Sequence, residues 1–236
     1  MKRSLLSALA ALAAVTALAG PATDAAAQRR GRPAAAAPNW TRVMVRTPEG
    51  GFRIGNPNAR VKLIEYLSTT CGICAAFSRE SAPRLIPVHV RSGRVSVEYR
   101  NYYLNGLDVA AAMLSRCAAP RAYFNLTHAL LASQRQWMGR IQSLTEAQRT
   151  ELGALRGIQA AQRLIEVIGL DAIAARHGVT ARMRRTCIDQ ANLNGLEALH
   201  AGGQRLGVGG TPTFFINGRA LDTNSWAGIE PLLRGR

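Results

Sequence analysis

Aromatic residues make up only 6% of this 236-residue sequence, cysteine occurs four times and lysine twice, and fourteen acidic residues face 30 basic ones. Four cysteines are too few for a small disulfide-dense scaffold, 22 glycines with 10 prolines exclude a collagen-like repeat, and a 47% hydrophobic content excludes a wholly disordered chain. No self-similarity at a period of roughly 20 to 50 residues marks a solenoid. The longest apolar run, Leu5 to Ala19, is mostly alanine and falls short of the roughly 20 strongly apolar residues of a spanning helix. What is present is 47% hydrophobic with a mean hydropathy of −0.03, enough for one large domain carrying an insertion. The net charge is +16, and 28 of the 30 basic residues are arginine. These arginines are dispersed, with one tight cluster at Arg182, Arg184 and Arg185, and no basic stripe interleaved with aromatics suggests a nucleic-acid partner.

Lys2 and Arg3 precede the apolar run, and Ala17-Leu18-Ala19 and Ala25-Ala26-Ala27 supply the small residues of a signal-peptidase site. Residues 1–27 therefore read as a secretory signal peptide and 28–40 as a flexible Ala/Pro/Arg tether, leaving a domain over 41–236. Export would place the cysteines in an oxidising compartment, which makes their spacing informative.

Along that domain, Val61 to Leu67 is nearly continuous apolar sequence and suits a central strand covered on both faces. A helical segment broken near Pro83 and Pro87 follows, and then an alternating strand from Arg94 to Tyr103. About 107–206 carries helical periodicity, expected to form four to six helices with Tyr123, Phe124 and Trp137 in their core. Thr213 to Ile216 and Arg219 to Leu221 flank the turn pair Asn217-Gly218 as a hairpin, and a last helix starts near Ser225. This order describes an α/β fold with a helical insertion between its two halves.

Cys71-Gly72-Ile73-Cys74 follows the central strand where a helix begins, with Ser68, Thr69 and Thr70 as candidate caps. A thiol at a helix N-terminus meets unpaired N–H groups and the positive end of the dipole, both of which favour thiolate. Cys71 is thus the expected exposed nucleophile, and Cys74, one turn deeper, can close or resolve a disulfide with it. A zinc site would need a second short-spaced ligand pair; Cys117, Cys187 and the four histidines supply none.

The run E-Y-L-S-T-T-C-G-I-C, with G-V-G-G-T-P-T-F-F-I-N-G-R near the C-terminus, resembles the thioredoxin superfamily, and within it the exported DsbA-like disulfide oxidoreductases. The resemblance implies a thioredoxin fold with its helical domain inserted between the N- and C-terminal halves. It implies that Pro212 is the cis-proline facing the cysteine pair, that Thr211 lies by the Cys71 sulfur, and that both help hold an extended substrate. It also implies that Glu65, six residues before Cys71, is a buried acid able to exchange a proton with Cys74. Export and the even count leave Cys117 and Cys187 as either a structural disulfide or two separate buried thiols.

The resulting expectation is a protein disulfide oxidoreductase, periplasmic and monomeric, that needs no metal or organic cofactor and acts mainly as an oxidase of unfolded or thiol-containing exported polypeptides. A membrane redox partner, implied by the resemblance, would reset the pair. Reductase or isomerase is the alternative direction, because Gly-Ile between the cysteines lacks the histidine of the strongly oxidising Cys-Pro-His-Cys version.

Overall fold

A computed structural model of the protein describes residues 38–234. The expected signal peptide and residues 28–37 of the expected tether lie outside them. Asn39 caps a short 3-10 turn over Trp40–Arg42, and the Trp40 indole packs against Gly93, so the folded part begins before residue 41.

Six strands form one mixed sheet: β1 (Met44–Arg46), β2 (Phe52–Gly55), β3 (Val61–Leu67), β4 (Val95–Asn101), β5 (Thr213–Ile216) and β6 (Arg219–Ala220), in the order β1-β2-β4-β3-β5-β6. Only β3 and β4 run parallel, joined by a crossover through α1 (Gly72–Ser81) and a π-helical stretch over Leu85–Val90. Parallel strands need such a crossover, whereas β5 and β6 are joined by a tight turn in which Asn217 and Gly218 take φ of 50° and 82°. β3 lies inside the sheet with Val61, Leu63, Glu65 and Leu67 on one buried face. Pro83 falls after α1 has ended, and Pro87 sits within the π-helical stretch.

Between β4 and β5 the chain forms eight helices rather than four to six: α2 (Gly106–Arg116), α3 (Pro120–Ala132), α4 (Gln134–Gly139), α5 (Glu146–Ala154), α6 (Gly157–Val167), α7 (Leu170–Arg176), α8 (Ala181–Cys187) and α9 (Gln190–Arg205). The undercount has a physical origin, since some of their boundaries lie at ordinary residues such as Ser133 and Leu155 rather than at glycine or proline. α10 (Trp226–Leu233) closes the fold, capped by Ser225. Tyr123, Phe124 and Trp137 are all buried, and Tyr123 stacks on Phe52 of the sheet with ring centroids 3.7 Å apart. The helical block and the sheet therefore share one core.

The sulfurs of Cys117, at the end of α2, and Cys187, at the end of α8, are bonded at 2.18 Å and close a loop across most of the helical block. Restricting that loop in the unfolded chain stabilises the fold by up to about 4 kcal/mol in the chain-entropy account. Replacing both cysteines with alanine is expected to lower unfolding stability in urea by that order, and an unchanged midpoint would show that the crosslink contributes little.

Candidate active site

β3 ends at Leu67, and residues 68–70 deliver the chain to α1. The helix is capped by Cys71 itself rather than by Ser68, Thr69 or Thr70: with extended backbone (φ −82°, ψ 120°), Cys71 Sγ accepts the Cys74 N–H at 3.3 Å. Ser68 and Thr70 instead bond to each other through their hydroxyls at 3.0 Å. Sulfur thus takes the place of the usual capping oxygen, and an orphan amide of the first turn is spent on a future thiolate.

Cys71 is 9% exposed, less open than expected, because the loop before β5 folds over it. The Thr211–Pro212 peptide in that loop is cis, and in the thiol form Cys71 Sγ–H donates to the Thr211 carbonyl at 3.2 Å. Cys74 is fully buried one turn further along. The two sulfurs are not bonded to each other.

Their acidities diverge. A hydrogen bond from the Cys74 thiol is the largest influence on Cys71; with help from the Thr211 side chain and the amides of Cys74 and Ile73 it outweighs partial burial and pulls the Cys71 pKa down to about 5. Burial drives Cys74 far the other way, reinforced by its bond to Cys71 and by the negative charge of Glu65. Glu65 lies on β3 beneath the pair, 2% exposed and without an ion pair among the described residues. Burial, then the charge of Cys71, raises its pKa to about 8. The site thus combines an ionised sulfur near the surface, a protonated sulfur behind it and a carboxyl that changes charge near neutral pH.

The structure brings Cys71, Cys74, Glu65, Thr211 and Pro212 to one end of the central strands, while Cys117 and Cys187 sit apart in the helical block. Sequence reasoning missed the residues that hold the loop. Asp108, buried on α2, accepts from the Thr69 N–H (2.9 Å), the Thr69 hydroxyl (2.7 Å) and the Leu104 N–H (3.1 Å). Gln134, buried at the start of α4, donates its Nε2 to the carbonyls of Thr69 (2.8 Å) and Cys71 (2.9 Å). The helical block is therefore hydrogen-bonded directly to the backbone of the nucleophile. Asn105 caps α2 and could be read from its spacing to Asp108, but no local signal marks the reach of Asp108 or Gln134 across the fold. Among the described residues no group of histidine, cysteine and acidic side chains could hold a metal ion.

A family model described as thioredoxin matches residues 47–234. The chain is 29% identical to a protein-disulfide isomerase of Novosphingobium aromaticivorans of known structure, with a TM-score of 0.70 over 78% of this chain and 95% of that one. It superposes on alpha-DsbA1 of Wolbachia pipientis with a TM-score of 0.60 at 22% identity, covering 80% and 90% of the two chains, a likeness of fold. A curated Rickettsia conorii relative, provisionally named a protein-disulfide oxidoreductase, is 26% identical over 113 residues, which are 48% of this chain and 40% of the relative. The chain thus matches well under half the length of such curated relatives.

Alkylation of the reduced protein by iodoacetamide should follow the Cys71 thiolate, half-maximal near pH 5 and confined to Cys71 at neutral pH, as mass spectrometry of the labelled peptide would show. A midpoint near the ordinary thiol value would mean that the capping geometry does not stabilise the anion. Gln134→Leu should raise that midpoint while leaving the far-UV spectrum intact; an unmoved midpoint would reduce Gln134 to a packing role.

Proposed function

The chain belongs to the thioredoxin family, and from that premise we propose that it is a thiol–disulfide oxidoreductase that exchanges a Cys71–Cys74 disulfide with cysteines of other proteins, chiefly as an oxidase. The observation that carries the reading is the opposed acidity of two sulfurs three residues apart, with a carboxyl beneath them and a cis-proline loop in front.

In the oxidising direction a substrate thiolate attacks Cys71 Sγ, the Cys71–Cys74 bond breaks, and the electron pair leaves on Cys74. A thiolate in that buried position is unfavourable, and Glu65 supplies the proton that neutralises it. A second substrate thiolate then attacks the substrate sulfur of the mixed disulfide, and Cys71 departs as a stable thiolate. The substrate has lost two electrons and the pair has gained them. Stabilising the leaving Cys71 anion favours the reduced protein, which is the thermodynamic basis of an oxidant. A separate disulfide or quinone-linked oxidant, with a membrane protein as the proposed carrier, must take those electrons away.

Substrates are proposed to be exported polypeptides with free thiols, and the compartment to be the periplasm; the basic, apolar N-terminal sequence supports export. No helix among the described residues is long and apolar enough to cross a membrane. The proposed protein acts as a monomer. Isomerase is the second reading, favoured by the similarity to the Novosphingobium protein and by Gly-Ile between the cysteines.

Equilibration with glutathione buffers tests the direction. A Cys71–Cys74 potential near about −120 mV fits an oxidase, whereas about −270 mV would overturn that direction in favour of a reductase. Cys71→Ser should abolish exchange, and Cys74→Ser should trap mixed disulfides visible on non-reducing gels. Glu65→Gln should slow exchange at pH 7 by about a hundredfold. Because the folded pKa of Glu65 is raised, its ionisation opposes folding increasingly as pH climbs from the ordinary carboxyl value of 4.5 towards 8. The glutamine variant should therefore match the parent in stability near pH 4 and exceed it above pH 8, and equal stabilities at both would contradict the burial of the charge.

A further inference from the structure

A cavity of about 730 Å³ opens beside the nucleophile, beginning at Gly72 and running between α1 on one wall and the junction of α3 and α4 on the other. It shares Ala75, Arg79 and Ala132 with a second cavity of about 280 Å³. That one in turn shares Ala82, His128 and Ala132 with a third of about 600 Å³, which ends among Leu85, Ile86 and Pro87. Through these shared walls the three line up as a groove along α1, less apolar beside Cys71 than at its far end.

The charged residues lining the first cavity are Arg79 and Arg135, with no acid among its walls. Both are exposed, and neither guanidinium makes a hydrogen bond or ion pair with a described residue. Arg84, Arg100, Arg163 and Arg184 each meet a carboxylate, whereas Arg42, Arg121, Arg176 and Arg205 are unpaired among the described residues like Arg79 and Arg135, so what sets these two apart is their place at the mouth of the groove. Two uncompensated cations on facing walls, at the mouth of a groove that starts one residue from the reactive sulfur, complement carboxylates on whatever chain is attached to that sulfur.

We infer that this groove receives an extended acidic segment of the substrate polypeptide, with Arg79 and Arg135 selecting substrates that carry Asp or Glu close to the reacting cysteine. The inference rests on the redox reading above and names its substrate class. The spacing follows from helix geometry. Arg135 adjoins Gln134, whose amide touches the Cys71 carbonyl. Arg79 lies seven residues beyond Gly72, which is about 10 Å of α-helix and about three residues of extended chain. The acid should therefore stand two or three positions from the cysteine.

The test uses the reduced protein and short peptides whose single cysteine is a mixed disulfide with thionitrobenzoate. Cys71 thiolate attacks the peptide sulfur, a peptide–Cys71 disulfide forms and thionitrobenzoate leaves with the electron pair, so absorbance gives the rate. Peptides with Glu, Gln or Lys two and three positions from the cysteine, on either side, are compared. At low salt the best Glu peptide should react about tenfold faster than its Gln counterpart, Lys should be slower still, and about 0.5 M salt should shrink the preference. Arg79→Gln/Arg135→Gln should bring the Glu-to-Gln ratio near one. Arg182→Gln/Arg185→Gln, which removes the same charge from α8, where neither residue lines the groove, should leave the ratio unchanged. A ratio that survives the groove substitutions, or that the α8 substitutions lower equally, would overturn the inference in favour of attraction by overall charge. If no peptide reacts faster than it does with free glutathione, the redox reading itself fails and the groove assignment falls with it.

Discussion

The structure turns on a negative charge held by sulfur at the first turn of a helix. Cys71 is at once the end of a loop, the cap of α1 and the acceptor of hydrogen bonds from the thiol and amide of Cys74. A capping oxygen would satisfy the helix equally well, but only sulfur can satisfy it and also exchange bonds with another sulfur. Capping and reactivity are therefore one arrangement, and a change that disturbs the helix start disturbs the nucleophile.

The arrangement holds because three separate parts of the chain meet at residues 68–71. β3 delivers the loop, Asp108 and Gln134 bind its backbone from the helical block, and Thr211 covers the sulfur from the loop before β5. The bonds from Asp108 and Gln134 use buried polar groups that would be costly to leave unpaired, so the loop has little freedom to rearrange. Glu65 is the exception beneath it, a carboxyl without a counter-charge among the described residues, whose burial raises its pKa into the range where it can give and take a proton.

The α/β order and the site-bearing strand were legible because their signals are local. Nearly continuous apolar residues from Val61 to Leu67, broken only by Lys62 and Glu65, mark a central strand, Asn217-Gly218 marks a hairpin, and a cysteine pair at a strand-to-helix boundary marks redox chemistry. The helix count was not legible, because some breaks of the block, as at Ser133 and Leu155, are set by packing rather than by glycine or proline. The burial of Cys71 was hidden for the same kind of reason, since its cover comes from Thr211, 140 positions away. Asp108 and Gln134 carry no local mark of their role, as a buried Asp or Gln gains meaning only from the carbonyl or amide that the fold sets opposite it.

The chain order of these parts bears on how the protein is made. Cys71, Cys74 and Cys117 emerge from the ribosome well before Cys187, and Thr211 follows later still. While residues 117 to 187 are being made the nascent chain therefore carries three thiols, an odd number, with the partner of Cys117 yet to come and the redox pair still uncovered. Any oxidant acting on the chain before residue 187 is available can join Cys117 only to the wrong sulfur, so correct pairing depends on oxidation waiting for translation.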